Sequence, residues 1–371
     1  MQMVSGVVWR VLAAGAVSLA AFGQTAPRIA PIPKDPIEMV TGQVKPVDTP
    51  SRRAAALQLL EGVRAGYGLR SSGQGYDLKV SFRVNSGGVT EYDGAWKMHE
   101  MFDPQQGLRW TAKTANYSIV RISVNGMLYG DDPGSYVPLR LQEARAALFD
   151  PLPSTESLTR ASMRKSSATL NGARLTCLLI SAPGKVSDPA AGRRWDETEE
   201  CIDPQTGMLR THSQVPGRYY SYDYSNALKF AGHLLPRKVT VTEGGKTITE
   251  ISVDSLTELP STDASLFVPT EEMKAKGRAV AMTGAQKIAR FVGRTPFPPG
   301  STIHAVCVFG VVTPAGQLEE AHSLQPADPN SGAALEDAKK IDFSRATPLG
   351  VHPQQHFVFV IEKFLDAPSV H

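Results

Sequence analysis

The sequence has few of the features that identify an enzyme or a nucleic-acid-binding protein. Only three of its 371 residues are cysteine, and 39 basic residues against 36 acidic ones leave a net charge of +3. So small a positive excess, without a long run of Lys and Arg, gives no electrostatic footprint for nucleic acid. A chain of this length exceeds what one hydrophobic core usually supports, so the sequence predicts two domains.

Motifs for nucleophilic, nucleotide and metal chemistry are also missing. Residues 68–73 contain Gly and Ser at the wrong spacing for a nucleophile elbow, and they do not follow a strand as a dinucleotide fingerprint must. His352 and His356 are four residues apart, but Pro353 prevents them from sharing a helical face. We therefore expect no enzymatic activity, no cofactor and no metal site.

One acidic cluster stands out and allows two interpretations. Glu197, Glu199, Glu200 and Asp203 lie within seven residues, and carboxylates so close together could bind a cation. On a strand, however, Glu197 and Glu199 share a face. We favour the interpretation that this face is exposed to solvent.

A long hydrophobic run occurs at the N-terminus, where Arg10 precedes an apolar stretch that ends in Ala21-Phe22-Gly23. Small residues occupy the two positions that a signal peptidase inspects. The stretch is shorter than the roughly 20 residues that span a bilayer, which disfavours the alternative of an uncleaved anchor. The sequence thus predicts a signal peptide over residues 1–23, a mature chain that begins at Gln24, and export from the cytoplasm.

Export changes the interpretation of the cysteines, because an oxidising compartment favours disulfides. Cys177 and Cys201 each lie in a strand-like apolar segment. We predict a disulfide between them that joins neighbouring strands. Cys307 lies in another apolar run and is predicted to be a small buried hydrophobic residue with a free thiol.

Hairpins dominate the middle of the chain. After a proline-rich leader over 24–50, apolar residues spaced three and four apart predict a helix from Ser51 that ends at Gly66 to Gly68. Alternation then predicts a strand over 76–84. Residues 102–107 and 202–207 repeat one Asp-Pro turn that ends in Gly, and further turns are predicted at Asn171-Gly172 and 243–246. We expect nine or ten strands between residues 76 and 260, interrupted by one helix over 138–149.

A second, smaller unit is predicted after a linker over 271–300 that is rich in Lys, Gly and Pro. Its pattern predicts strands over 303–312, 317–323 and 356–364 and a helix over 331–341 with Ser331 as its N-cap. Hairpins without regularly alternating helices indicate an α+β class built on an antiparallel sheet.

Large apolar side chains are the best candidates for a ligand site. Trp96, Met98 and Phe102 alternate on one predicted strand, and Trp110 lies just beyond the next turn. Trp and Met can line a pocket for an apolar ligand. The alternative, that these residues pack as core under the helices at 52–65 and 138–149, stays open.

The order of a helix, a sheet of hairpins, an inserted helix and further hairpins resembles the LolA-like family of periplasmic lipoprotein carriers over residues 51–270. Residues 222–224, 234–239 and 251–253 are similar to the closing strands of that family. The resemblance implies a periplasmic half-barrel with packed helices that holds acyl chains.

The C-terminal unit, residues 301–366, resembles a TonB C-terminal domain. Residues 306–318 are similar to its first hairpin, 333–338 to its helix and 357–364 to its last strand. The resemblance implies a domain that docks onto another envelope protein. A segment with Phe297-Pro298-Pro299 replaces the family's Tyr-Pro, and a cleavable signal replaces its membrane anchor.

Together these features favour an exported, periplasmic, non-enzymatic protein that binds an apolar or lipid-like ligand, such as a lipoprotein acyl chain, and contacts an envelope protein partner. The alternative is a scaffolding protein whose half-barrel is filled by its own side chains. An activity screen would detect a hydrolase, for which the sequence shows no motif.

Overall fold

The computed structural model describes residues 44–87, 92–132, 136–170, 173–183, 193–260, 264–279, 288–292, 303–344 and 355–365. The predicted signal peptide and most of the predicted leader lie outside these ranges, as do Asn171-Gly172 and His352. Within them, no helix is long and apolar enough to cross a membrane.

Five α-helices lie among the described residues: α1 (Pro50–Tyr67), α2 (Leu139–Phe149), α3 (Thr155–Arg160), α4 (Glu271–Lys276) and α5 (Ser331–Lys339). The first begins one residue before the predicted start, because Pro50 fits the first helical position and Thr49 accepts a hydrogen bond from the amide of Arg52. Both α1 and α2 are confirmed. Helix α3 is not among the predicted elements, and α4 lies inside the stretch predicted as a linker.

The largest element of the described chain is one open antiparallel sheet of thirteen strands. Its strands are β1 (Lys45–Pro46), β2 (Tyr76–Val84), β3 (Gly94–Asp103), β4 (Gly107–Lys113), β5 (Ser118–Val124), β6 (Met127–Gly130), β7 (Ser162–Leu170), β8 (Ala173–Ser181), β9 (Thr198–Ile202), β10 (Leu209–Val215), β11 (Arg218–Asp223), β14 (Lys238–Glu243) and β15 (Lys246–Glu258). A separate two-stranded hairpin consists of β12 (Leu228–Phe230) and β13 (His233–Leu235). The prediction of nine or ten strands was too low, because short strands carry little periodic signal.

In the large sheet an early strand pairs with a late one. The order is β1-β7-β8-β9-β10-β11-β14-β15-β2-β3-β4-β5-β6, so one neighbour of β2 is β3 and the other is β15. In this pairing Phe82 lies opposite Ile251, and Val80 lies opposite Val253. The pattern of β2 alternates between buried and more exposed residues, as predicted for a strand with one covered face.

The repeated turn chemistry forms hairpins as predicted. Asp103 accepts hydrogen bonds from the amides of Gln105 and Gln106, and Asp203 accepts one from the amide of Gln205. The glycine that ends each turn, at 107 and 207, has positive φ. These turns join β3 to β4 and β9 to β10.

The predicted disulfide is present. Cys177 on β8 lies directly opposite Cys201 on β9, and their sulfurs are bonded. Cys307 is buried and takes part in no disulfide, also as predicted. All three cysteines are thus located in strands.

The C-terminal unit contains a second sheet of four strands in the order β16-β19-β17-β18, together with α5. The strands are β16 (Ile288–Val292), β17 (Ile303–Val312), β18 (Leu318–Ser323) and β19 (His356–Leu365). The predicted order of two strands, a helix and a strand is confirmed. Asn330 rather than Ser331 precedes the helix as N-cap, so that prediction was wrong: helical geometry begins at Ser331 itself.

Alternation along β17 and β19 divides the residues of the small sheet between two cores. Phe309, Phe357 and Phe359 pack with Leu139 of α2 and Val215 of β10. The intervening residues of the same strands pack with Ala334 and Ala338 of α5 and belong to a separate cluster. One face of the C-terminal sheet therefore covers the large sheet and α2, while α5 covers the other.

Close backbone approach also holds the two units together. Gly217, in the β10–β11 turn, has a φ of 88°. A Cβ there would lie 2.6 Å from the carbonyl oxygen of Leu324 in the C-terminal unit. Only glycine permits both the positive φ and this approach.

Candidate functional site

A cavity of about 600 Å³ lies between α2, the segment that follows it, strands β9 to β11, and β19 of the C-terminal unit. Apolar surface supplies most of its wall, from Leu139, Ala146, Ala147, Phe149, Pro151, Leu152, Pro153, Phe357 and Phe359 and from the ring of Tyr222. The polar side chains in its lining are Arg70, Gln142, Glu143, Arg145, Asp150, Thr198, His212, Gln214 and Tyr220. We call this space the α2 cavity. Its size and composition are those of a small-molecule site.

Two arginines, Arg70 and Arg145, contribute to the lining of the α2 cavity. Arg70 is 44% exposed and Arg145 is almost fully buried, and both donate hydrogen bonds to the carboxylate of Glu100. Tyr76 also donates to Glu100, at 2.6 Å. Burial works to raise the pKa of Glu100, but Arg145 and Arg70 outweigh it, so that pKa is below its ordinary value. Glu100 is therefore an anion at neutral pH.

Strands β10 and β11 give the cavity an aromatic and polar wall. His212 and Tyr220 lie with ring centroids 5.0 Å apart, and Nδ1 of His212 is 2.8 Å from Glu200. The hydroxyl of Tyr222 is buried, and among the described residues it has no hydrogen-bond partner. A buried polar atom without a partner is costly, so this hydroxyl lowers the stability of the fold at the cavity wall.

A carboxylate that orients a histidine is also found in acid–base catalysis, where such a pair can act as a catalytic dyad. Acyl transfer further requires a hydroxyl or thiol nucleophile that hydrogen-bonds to the histidine. In the part of the chain that the structure describes, His212 bonds to Glu200, and no hydroxyl or thiol is paired with it. The pair is better described as a polar wall.

Behind the cavity lies a cluster of five buried charged side chains, which we call the interface cluster: Arg140, Glu143, Arg218, Glu243 and Glu320. Arg140 donates to both oxygens of Glu243, at 2.8 and 3.2 Å, and to Glu320 of β18. Arg218 bonds to Glu243 at 2.9 Å and to Glu143. Because α2, the large sheet and the C-terminal unit each contribute members, the cluster connects all three.

The acidic cluster is buried, which contradicts the prediction of a solvated face. Glu197 forms two hydrogen bonds with Arg164, at 2.7 and 2.6 Å. Glu199 accepts from Arg193 at 3.0 Å, and Glu200 pairs with His212. Asp203 is buried in the β9–β10 turn. We call Arg164, Arg193, Glu197, Glu199, Glu200 and His212 the strand cluster.

Two groups among the described residues have metal-ligating atoms close together. In one, Cys177 and Cys201 are consumed by the disulfide. In the other, Glu243 and Glu320 already accept hydrogen bonds from Arg140, and His322 bonds to Glu320 at 2.9 Å. We therefore assign a metal site to neither group.

The residues predicted to bind ligand are not in the lining of the α2 cavity. Trp96, Met98 and Trp110 are buried in the main core, and Phe102 packs against that core. Trp110 packs against a residue of the lining, since the centroid of its ring lies 4.2 Å from the guanidinium carbon of Arg145. Whether ligand reaches these four residues stays a prediction.

Sequence reasoning missed the α2 cavity because α2 was considered only as an inserted helix. Every residue from Leu139 to Arg145 is buried, including Arg140, Glu143 and Arg145. The sequence does contain a signal for this burial, because charged and apolar residues lie on all faces of the short helix. A surface helix would confine its charged residues to one face.

No family model matches the sequence, and no curated protein matches it. Solved structures similar to this chain include a putative outer membrane lipoprotein-sorting protein domain from Vibrio parahaemolyticus, at 9% identity and a TM-score of 0.35, covering 58% of this chain and 97% of that one. A LolA superfamily protein from Nitrosomonas europaea has 7% identity, a TM-score of 0.37 and the same two coverages. The MucA/MucB complex of Pseudomonas aeruginosa has 12% identity and a TM-score of 0.27, over 69% of this chain and 75% of that one.

The first two likenesses concern the N-terminal part of the chain, where the fold is an open antiparallel sheet with a few helices. At these TM-scores they carry no argument about function. The proposals below therefore rest on the residues of this chain. The TonB-like resemblance of the C-terminal unit stays a prediction.

Proposed function

We propose that the protein is an exported, periplasmic binding protein that holds an apolar or lipid-like ligand in the α2 cavity without transforming it. The observation that carries the proposal is the cavity itself: about 600 Å³ of space with a mainly apolar wall and a few charged side chains in its lining. Ligand pockets in proteins range from about 300 to 1,000 Å³ and combine such walls with a few polar groups.

The C-terminal unit takes part in this function because it supplies a wall of the cavity. Phe357 and Phe359 of β19 line the space, and Gln355 accepts a hydrogen bond at 2.8 Å from the amide of Leu139 at the start of α2. That amide belongs to a helix terminus without a side-chain cap of its own. Contact with an envelope partner would then use the edges of the C-terminal sheet, whose two faces are covered.

One observation favours the alternative of a scaffold. Trp96, Met98 and Trp110 are 1 to 3% exposed, so the aromatic part of the large sheet is filled by its own side chains. Under this alternative the α2 cavity is a packing defect between two units, and no lipid occupies it.

A fluorescent fatty acid and its neutral methyl ester test the proposal on the full chain. We expect at least one of them, parinaric acid or methyl parinarate, to bind saturably at one molecule per chain. Ala146 lies on the cavity wall but is itself exposed, so Ala146→Trp should fill the space with little loss of stability and weaken binding about tenfold or more.

A matched control is available on α1, where Ala54 is exposed and remote from the cavity lining. Ala54→Trp should bind the probes as the parent does. If the parent protein binds neither probe, the binding proposal fails and the scaffold alternative is supported.

A further inference from the structure

The charged side chains in the lining of the α2 cavity are already paired. Two arginines of the lining share the carboxylate of Glu100. Arg64 serves both Asp150 and Glu61, and the two arginines of the interface cluster serve its three glutamates. Among the described residues, the lining therefore holds no charge that lacks a partner of opposite sign. A charged headgroup would lose its hydration there without gaining a counter-charge.

Strands β10 and β11 present uncharged polar groups to the cavity on one face of the sheet. His212 lies opposite Tyr220, and alternate residues of a strand share a face. Gln214 and Tyr222 therefore point the same way as His212 and Tyr220, and all four belong to the lining. The side chain of His212 thus faces the cavity.

His212 has one ring nitrogen left for a ligand. Its Nδ1 is 2.8 Å from Glu200, and among the described residues its Nε2 forms no hydrogen bond. The side chain is 12% exposed, and Nε2 is not enclosed by protein atoms as the hydroxyl of Tyr222 is. A ligand inside the cavity can therefore reach Nε2.

Gln142 of α2 offers a second polar atom. Its Nε2 donates to the carbonyl oxygen of Val137 at 2.7 Å, and because a carbonyl only accepts, this contact identifies Oε1 as the other atom of the amide. In the described part of the chain Oε1 has no partner, and it is not enclosed either. Tyr220 and Gln214, in contrast, already bond to Arg218.

A hydroxyl group fits both of these positions. It can donate to Oε1 of Gln142 or to Nε2 of His212, and it can accept from Nε2 when the proton resides there. A carboxylate or an ether oxygen only accepts, so neither can bond to Oε1 of Gln142. The polar groups that remain open in the cavity thus favour a hydroxyl.

We propose that the ligand is an uncharged amphiphile whose hydroxyl head bonds to His212 and Gln142, while its apolar chain lies against Leu152, Phe357 and Phe359. Long-chain alcohols and monoacylglycerols share this chemistry. The inference rests on the proposed function and adds the headgroup of the ligand to it.

The test measures displacement of the bound parinaric probe from the full chain by oleyl alcohol and by oleyl methyl ether, which differ only in the hydroxyl. The parent protein should bind the alcohol about tenfold more tightly than the ether. His212→Asn keeps a donor near Glu200 but removes Nε2, and Gln142→Met replaces the amide with an apolar group of similar length. Each change should reduce the preference to about threefold or less.

His99→Asn is the matched control, because His99 pairs with Asp77 at 2.9 Å and is not part of the lining. It should keep the preference of the parent. Unfolding midpoints of all variants separate loss of binding from loss of folding. If His212→Asn does not fold, Gln142→Met decides the outcome, and a full preference retained in a folded Gln142→Met would overturn the assignment.

Further competitors distinguish the sources of the hydroxyl. Tighter binding of 1-monooleoylglycerol than of oleyl alcohol would identify an acylglycerol head, and weaker binding would identify a simple alcohol. Oleate or oleylamine binding more tightly than oleyl alcohol would overturn the inference of an uncharged head. Equal affinity for alcohol and ether in the parent would overturn the hydroxyl inference and leave the binding proposal intact, whereas binding of neither parinaric probe would overturn both.

Discussion

The interface cluster and the strand cluster both bury several carboxylates, but they neutralise them differently. In the interface cluster two arginines serve Glu243, and its pKa falls from an ordinary 4.5 to about 2 although burial works in the opposite direction. In the strand cluster Glu200 has His212 as its partner, and burial raises its pKa despite that contact. The same residue type thus becomes a firmly held anion in one region and a poorly stabilised one in the other.

The difference shows that burial alone does not decide how a glutamate behaves. Arginine remains charged at every relevant pH and offers several donors in a fork, whereas a histidine ring has at most two donors and is cationic only when both nitrogens are protonated. The interface cluster can therefore hold two units together across a wide pH range. The strand cluster lies next to the disulfide between β8 and β9, which already links these two strands covalently.

The largest effect is expected from Arg218→Leu. The change leaves Glu143 and Glu243 buried with one fewer cation, which should cost roughly 3 to 5 kcal/mol of the free energy of unfolding. Urea denaturation measures it. The exposed pair of Arg160 and Glu156 provides the control, because Arg160→Leu should cost less than about 1 kcal/mol. Similar losses in both variants would show that the interface cluster is no stronger than a surface pair.

The second prediction concerns acid. Since the pKa of Glu243 is lowered to about 2, its contribution is complete above the unfolded value of 4.5 and is lost as the pH falls through 2. The loss should be on the order of 3 kcal/mol. Free energies of unfolding of the parent and of Glu243→Gln should differ at pH 6 and converge toward pH 2. A difference that does not depend on pH would contradict this assignment.

Removing the disulfide tests what secures the strand cluster. The bridge closes a loop of 24 residues in sequence separation, and in the chain-entropy model it contributes on the order of 3 kcal/mol. Cys177→Ala with Cys201→Ala should lower stability by about that amount. Thiol titration of the denatured, unreduced parent should find one free group, Cys307; three free groups would show that the bridge does not form.

The smallest effect is expected from Glu200→Gln, and its sign should be opposite to that at Glu243. A raised folded pKa means that protonated Glu200 favours the folded state, so its contribution is present below the unfolded pKa and is lost as pH rises through the folded value. The variant should gain stability relative to the parent between pH 4.5 and pH 8. Equal differences at the two pH values would speak against it.

Local signals in the sequence predicted much of the fold. Asp103 and Asp203 begin turns whose hydrogen bonds span two or three residues, so the information is contained in the turn itself. The apolar runs over 303–312 and 356–364 likewise predicted the strands β17 and β19. The disulfide followed from two neighbouring strands and from the predicted export.

The strand cluster and the cavity could not be predicted in that way, because each depends on partners far away in sequence. Glu197 is buried by Arg164, thirty-three residues earlier. The cavity requires α2, β10 and β11 and β19 to meet, and nothing local in the sequence of Leu139 to Phe149 indicates that β19 covers it. Periodicity reports which residues share a face, but not what lies opposite that face.

The pairing of β2 with β15 has a consequence for how the chain folds. Phe82 meets Ile251 near the middle of the large sheet, so a strand made early must wait for one made about 170 residues later, and long-range pairings of this kind fold slowly. During synthesis the hairpin of β2 and β3 would display an unsatisfied edge until β15 emerges. If the chain crosses a membrane before it folds, the edge of β2 stays unpaired on the far side until β15 has also crossed. A chaperone that binds exposed strand edges would protect the hairpin during this time.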